Sequence, residues 1–227
     1  MAISLKSTNT VHSDGLKIVV HGASGAGKTT LIRTLPNPVI ISAEGGLLSL
    51  SDSDIPYMDI ANMSDLQDAF KWCESSKEAE QFESIALDSI SEVAEVVLVH
   101  EKRVNKDGRA AYGELQVQMT SIIRAFRDLK GKHVYFSAKT EKSVDETGRM
   151  LHQPSMPGTK LSQQLPYFVD FVFALRAEKD EEGHIQRGLM TQPDGSWTAK
   201  SRSDGLDAWE PADLALIINK IVGRPAQ

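Results

Sequence analysis

The sequence predicts an α/β fold: a mainly parallel sheet flanked by helices, with an antiparallel β-hairpin toward the C-terminal end. Three observations carry this. Four short apolar runs, "LKIVVHG" (16–22), "PVIIS" (38–42), "FESIALDS" (82–89) and "KHVYFSAKT" (132–140), read as strands, the first three of them buried. Helix-like stretches separate them, and strands alternating with helices imply right-handed crossovers and parallel pairing. Two further strand-like runs (167–178 and 184–192) face each other across "KDEEG".

The elements follow in order. "GKTTLIRTL" (27–35) is a short helix stopped by Pro36 and Pro38. Residues 62–76 form a helix with a capping box of Ser64 and Gln67 and with Leu66, Phe70 and Trp72 at apolar positions. Residues 91–103 carry a Val/Leu helical face. Residues 112–131 form a long amphipathic helix ended by Gly131. A polar loop with Gly and Pro fills 141–160, and 211–222 is a closing helix with Pro211 in its first turn. With no repeat, low-complexity tract or long linker, residues 15–222 are expected to be one domain between a flexible tail (1–14) and a short C-terminal tail (223–227).

Composition narrows the function classes. The chain has 227 residues, 41% hydrophobic and 25% charged, enough to bury a full core. Its single cysteine, Cys73, cannot form an internal disulfide, so a reducing cytoplasm is expected. The polar N-terminus lacks an apolar signal core, and no apolar run approaches the ~18 residues of a membrane span. The protein is therefore expected to be soluble, without a membrane partner. A net charge of −6 argues against coating duplex DNA through global charge, so any nucleic-acid contact must rest on local basic clusters. The histidines show no metal-ligand spacing, and Ser24 and Ser89 lack a suitably spaced histidine, so a hydrolase triad is not supported.

The strongest motif is "GASGAGKT", Gly22 to Thr29, which matches G-x-x-x-x-G-K-[ST] after a strand and at the start of a helix. Gly22, Gly25 and Gly27 let the backbone curl, so that N–H groups from Gly22, Ala23, Ser24, Gly25, Ala26 and Gly27 through Lys28, Thr29 and Thr30 cradle phosphates. The helix N-terminus adds a favourable dipole. Lys28 reaches the β- and γ-phosphates and the Thr29 hydroxyl coordinates Mg²⁺, which makes ATP and Mg²⁺ the expected ligands. Asp88, ending the apolar run "SIALD", is the expected second Mg²⁺ ligand, through a water; as Asp it would also serve as the N-cap of the helix beginning at 89–91. Many P-loop ATPases place a Glu directly after that Asp to polarise the attacking water. Here the next residue is Ser89. Glu44, at the end of the second strand, is then the candidate for that task, or else a capping or surface carboxylate.

With these residues the chain resembles the RecA-core ATPases. In that family a strand after the P-loop ends in a similar "AE" pair, here Ala43–Glu44, whose Glu activates water, and the Walker B strand is commonly followed by Ser, as in "LDSI" (87–90). "KHVYFSAKTEK" (132–142) is similar to the strand whose polar end, here Lys139 and Thr140, senses the γ-phosphate and couples it to a DNA-binding loop. "MPGTKLSQQLPYFVDFVFAL" (156–175) is similar to the segment after that loop. Across roughly residues 15–222 the pattern is most similar to small phage-encoded RecA-like ATPases linked to single-strand annealing, on the strength of "LPYFVD" (165–170) and W-x-A-K-x-R (197–202). The protein is expected to lack the extra terminal domains of full-length RecA recombinases.

The resemblance implies a RecA-like P-loop NTPase core and ATP hydrolysis in DNA recombination in a bacterial host cytoplasm. Its implied partners are single-stranded DNA, a phage single-strand-binding protein and further copies of the chain in a ring or filament. It also makes Lys200 and Arg202 a K-x-R pair reaching a neighbouring subunit's γ-phosphate; alternatively they are two solvated basic residues in a turn. Two loops correspond to DNA-facing loops. One carries Lys102, Arg103, Lys106 and Arg109 with Tyr112 nearby; the other carries Lys139, Lys142, Arg149 and Lys160, diluted by Glu141, Asp145 and Glu146. Ordinary solvated charged loops are the alternative. A non-catalytic nucleotide switch and a small-molecule kinase remain open as rival functions; an Arg-rich lid would mark a kinase, and after residue 140 Arg149 stands alone as a lid candidate.

Overall fold

The computed structural model describes residues 15–144, 147–179 and 182–223. The two predicted tails (all but Gly223), Asp145, Glu146, and residues 180–181 of the hairpin turn lie outside them. The first apolar run forms β1 (Lys17–Gly22), followed by a helix of only one turn, α1 (Lys28–Leu31), that tightens into a 3₁₀ turn over Ile32–Thr34. Then come β2 (Pro38–Ser42), a short strand β3 (Tyr57–Asp59), α2 (Met63–Ser75), β4 (Ser84–Asp88), α3 (Ile90–Val104) and α4 (Gly108–Arg127). β5 (His133–Val144), β6 (Met150–Pro154), α5 (Thr159–Phe168), β7 (Phe171–Lys179), β8 (Ile185–Met190), β9 (Trp209–Pro211) and α6 (Leu214–Val222) complete the order.

The main sheet runs β3-β2-β4-β5-β1-β7-β8-β9, parallel from β3 to β7 and antiparallel through β8 and β9, while β6 pairs with β5 alone. The expected α/β architecture, with its late antiparallel strands, is thus observed. Both faces of the central strands are apolar because each alternate residue meets a different layer. Val19, Val39, Ile41, Ile85, Leu87, Val134 and Phe136 pack against α2, α3, α4 and α5. Ile18, Val20, Ile40, Ala86, Tyr135 and Phe173 pack against α1 and α6. Among the described residues no helix is long and apolar enough to cross a membrane.

Several expectations need correction. The capping box of α2 is Asn62 with Asp65, two residues before the predicted pair. Asn62 Oδ1 accepts from the Ser64 and Asp65 amides at 2.8 and 3.1 Å, and Asp65 accepts from the Asn62 amide at 3.2 Å. α4 starts four residues early because Asp107 accepts from the Arg109 amide, and it ends at Arg127, before Gly131. The supposed loop 141–160 is largely ordered structure: β5 continues to Val144 and β6 returns along it, Thr140 opposite Pro154. The run 167–178 opens as the end of α5, so its strand begins only at Phe171. α5 was hidden because Tyr167 and Phe168 read as part of the strand run, yet Leu161 and Leu165 form a helical apolar stripe. Pro211 closes β9, and α6 is capped by Asp213, which accepts from the Leu216 amide at 3.1 Å.

Candidate nucleotide-binding site

Parallel pairing brings several polar residues to the carboxyl edge of the sheet, where ligands of such folds bind. Gly22 lies opposite Lys139, and Ser42 opposite Asp88. β5 runs between β1 and β4, so the phosphate loop and Asp88 come from strands on either side of it.

The loop geometry follows from its glycines. Gly25 and Gly27 have φ of 75° and 108°, a region where a Cβ is unfavourable. Gly22 serves differently: it ends β1 without positive φ, and a Cβ there would sit 2.9 Å from the Leu175 carbonyl oxygen. Lys28 folds back on the loop, donating to the Gly22 and Ala23 carbonyls at 2.8 and 3.1 Å. Burial lowers the Lys28 pKa, with Glu44 and Asp88 opposing the shift. The buried Tyr135 hydroxyl donates to the Lys28 carbonyl at 2.8 Å and so ties the loop to β5.

Asp88 is buried, and both carboxylate oxygens are engaged. Thr29 Oγ1 donates to Oδ2 at 2.7 Å, and Ser137 Oγ from β5 donates to Oδ1. The cap of α3 is the next residue: Ser89 Oγ accepts from the Glu92 amide at 3.3 Å. Asp88 therefore does not cap α3. The peptide bond between Asp88 and Ser89 is cis.

Glu44 extends from the end of β2. The Ala43 amide donates to the Asp88 carbonyl at 2.8 Å, prolonging the β2–β4 pairing by one residue and setting Glu44 beside that strand end. Its carboxylate, 32% exposed, lies 3.8 Å from Lys139 Nζ. Burial and the Asp88 charge raise its pKa, against the pull of Lys139 and Lys28. Lys139 also contacts Glu92 of α3, which holds its ammonium above the usual lysine value. Lys28, Thr29, Glu44, Ser49, Lys139 and Thr140 line one cleft of about 660 Å³, with Gly22, Ser24, Gly25, Gly27 and Thr30 forming its loop wall.

A family model described as an AAA domain matches residues 14–203. The chain belongs to the AAA-domain family. No curated protein matches it. Among solved structures it is similar to a KaiC-like protein from the hyperthermophilic archaeon Pyrococcus horikoshii OT3, at 12% identity, over 78% of each chain and with a TM-score of 0.45. With its AAA-domain match and its G-x-x-x-x-G-K-[ST] loop, this is a nucleotide-binding P-loop domain.

The remaining candidates of this AAA domain lie apart from the cleft. Lys200 Nζ donates to the Pro166 and Val169 carbonyls, both at 2.7 Å, and so caps the end of α5. Arg202 pairs with Asp170 at 2.9 Å, and Asp170 also accepts from the amide of Lys17, the first residue of β1. The pair thus sits toward the amino ends of the strands, opposite the phosphate loop of its own chain. α4 and α5 run side by side in one direction, since Tyr112 meets Gly158 and Arg124 stands over Phe168. Their starts, with Arg109 and Lys160, therefore face the carboxyl edge. Lys102 lies 5.5 Å over the ring of Tyr112, which is 46% exposed, while Arg103, Lys106 and Arg109 are exposed. Lys142 is on β5 opposite His152 of β6, and Arg149 lies against Gly195.

Several site residues escaped sequence reasoning, Ser49 of the cleft wall among them. Ser137 and Glu92 carried only a weak signal, a hydroxyl inside an apolar strand and an acid in a helix's first turn. His21, singled out by no motif, is fully buried and hydrogen-bonded at both ring nitrogens.

Proposed function

We propose that this AAA domain is an Mg²⁺-dependent ATPase in which Glu44 orients the attacking water, and that it acts on single-stranded DNA in phage-type recombination, promoting annealing. The observation that carries the catalytic half is the placement of Glu44: beside the Asp88 strand end, lining the phosphate cleft, where the position after Asp88 holds Ser89. Its raised pKa suits a general base.

The residues present fit a magnesium ion. Thr29 and Asp88 offer hard oxygens 2.7 Å apart, the donor type Mg²⁺ takes, and Ser137 fixes the far carboxylate oxygen so that Oδ2 keeps its aim. A bound Mg²⁺ would neutralise charge on the phosphates. Lys28 exchanges its two carbonyl partners for β- and γ-phosphate oxygens, a change favoured by the second charge. The loop amides hold the phosphates in place. Lys139, between Glu44 and Glu92, keeps the Glu44 carboxylate at the cleft wall.

The DNA half is supported by Lys102 over the ring of Tyr112, on which a base could stack, by Lys160 in the same groove, and by the exposed Arg103, Lys106 and Arg109 in the adjoining stretch of chain. The recombination setting rests on the resemblance to phage RecA-like ATPases. A trans role for Lys200 and Arg202 requires both to leave the contacts described above and a second copy to bind nearby. The test is phosphate release with and without single-stranded DNA, for wild type, Glu44→Gln and Arg103→Glu/Lys106→Glu. The reading expects stimulation by DNA, loss of turnover in the first variant and loss of stimulation alone in the second. Equal slow release by wild type and Glu44→Gln makes the protein a nucleotide switch instead.

A further inference from the structure

His21 is the penultimate residue of β1, directly before Gly22, where the phosphate loop begins. Its Nε2 lies 2.7 Å from the Thr198 carbonyl oxygen and its Nδ1 2.9 Å from Thr140 Oγ1. A carbonyl oxygen only accepts, so Nε2 carries the proton and donates it. Nδ1 of the neutral ring is then a lone pair, and the Thr140 hydroxyl donates to it. Burial keeps the ring neutral, with its pKa lowered to about 4.

Thr140 has one hydroxyl proton and also lines the phosphate cleft. While that proton points at His21, only lone pairs face the cleft, and an anionic oxygen is repelled by them. To bind phosphate the hydroxyl must turn and donate outward. Nδ1 is then a buried acceptor without a donor, which water cannot reach to replace. The other side of His21 leads into the segment 196–200. Trp197 lies 5.9 Å from the His21 ring and stacks on His152 of β6 at 4.1 Å. The segment is held by β6 through the His152–Ser196 and Thr198–His152 backbone bonds (2.7 and 2.8 Å) and by β7 through paired Lys200–Val172 bonds (2.8 and 2.9 Å). Its Lys200 ammonium caps α5.

We infer that His21 is a positioning residue linking γ-phosphate occupancy to segment 196–200: the Thr140 hydrogen bond passes from His21 Nδ1 to a γ-phosphate oxygen, and the loss shifts His21, Trp197 and Thr198. This rests on the reading of the cleft as a nucleoside triphosphate site. Thr140 has two competing acceptors and a single proton, so the element has two discrete states, as coupling requires. A nucleoside diphosphate lacks the competing oxygen and leaves the His21 bond in place. A triphosphate therefore reorganises a segment that touches β6, β7 and α5.

The test uses the full chain with Mg²⁺ and either ADP or a non-hydrolysable ATP analogue. Long-range ¹H–¹⁵N spectra read the His21 tautomer and the Nδ1 resonance, and the Trp197 indole resonance reads the segment. The free and ADP-bound protein should show the Nε2–H tautomer with Nδ1 as a hydrogen-bonded acceptor. The ATP analogue should shift Nδ1 and the Trp197 indole together. In Thr140→Val both nucleotides still bind, the two signals no longer distinguish them, and the preference for the analogue over ADP falls about 5-fold or more. An Nδ1–H tautomer, an equal response to ADP, or an intact response in Thr140→Val overturns the inference alone. Failure of either nucleotide to bind overturns the site reading and the inference with it.

Discussion

Among the described residues, two clefts of about 660 Å³ invite comparison. One is the phosphate cleft; the other, lined by Phe70, Cys73, Ser76, Asp128, Leu129 and Lys132, lies toward the amino ends of the strands. Each holds a lysine that donates to backbone carbonyls. Lys132 donates to those of Ala79, Glu80 and Phe82, using all three protons to close a turn. Asp128 is bidentate to Arg127, which lowers its pKa, and burial pushes the Cys73 thiol up to about 12. Lys28 holds only two carbonyls of a loop that can offer its N–H groups to phosphate, and it faces Asp88, Glu44 and Thr29. Equal volume thus accompanies opposite chemistry: one set of polar groups is committed to the fold, the other can exchange partners with a ligand.

The largest expected effect breaks this comparison most sharply. Lys28→Ala should weaken ATP binding by about 100-fold, as loss of a charge-assisted phosphate contact predicts, while Lys132→Ala should leave ATP affinity unchanged and lower stability by about 1–3 kcal/mol. Titration calorimetry and denaturant melts check both arms.

The second prediction concerns pH. His21 is neutral in the fold with its pKa near 4, while the unfolded chain carries an ordinary histidine near 6.5. Between these values the unfolded state binds more protons, so stability falls as pH drops from about 6.5 to 4, by up to about 3 kcal/mol. His21→Asn should flatten that slope in urea melts. Glu44 acts in the opposite sense. Its raised pKa means the folded state holds the extra proton, so its contribution falls as pH rises through the window above 4.5 and is constant beyond. Glu44→Gln should remove that part of the slope.

How much of this was legible in the sequence differs between local and long-range features. The phosphate loop was readable because G-x-x-x-x-G-K-[ST] is a local backbone requirement, and β2 matched its expected span, Pro38–Ser42, because Pro and Ser bound an apolar run. Asp88 stood out as a polar residue ending such a run. Ser137 did not, because its role depends on β5 lying between β1 and β4, a pairing no local pattern encodes. The β5–β6 hairpin was hidden for a related reason: beyond Lys139 the strand is half-exposed and polar, so its alternation resembles a loop. For Lys200 and Arg202, spacing alone could not reveal their bonds to Pro166, Val169 and Asp170 within the chain.

Ser137→Ala should give an intermediate effect. It leaves Asp88 Oδ1 buried without its donor, costing about 1–3 kcal/mol of stability, and should weaken Mg²⁺-ATP more than Mg²⁺-free ATP. Thermal melts with and without Mg²⁺ separate the two. The smallest effect is expected for Arg202→Ala. Its ion pair with Asp170 is half-exposed, so stability should change by no more than about 1 kcal/mol, with ATP affinity untouched. A fall in turnover per subunit only at concentrations that permit assembly would mark a role in a second copy's site.

Glu44 is where the two readings of the phosphate cleft, enzyme or switch, diverge. Phosphate release by Glu44→Gln, measured beside its ATP affinity, tests this most directly. The account predicts ATP affinity within about threefold of wild type and turnover lowered by about 100-fold or more, as for loss of a general base. Unchanged turnover with ATP bound would contradict it.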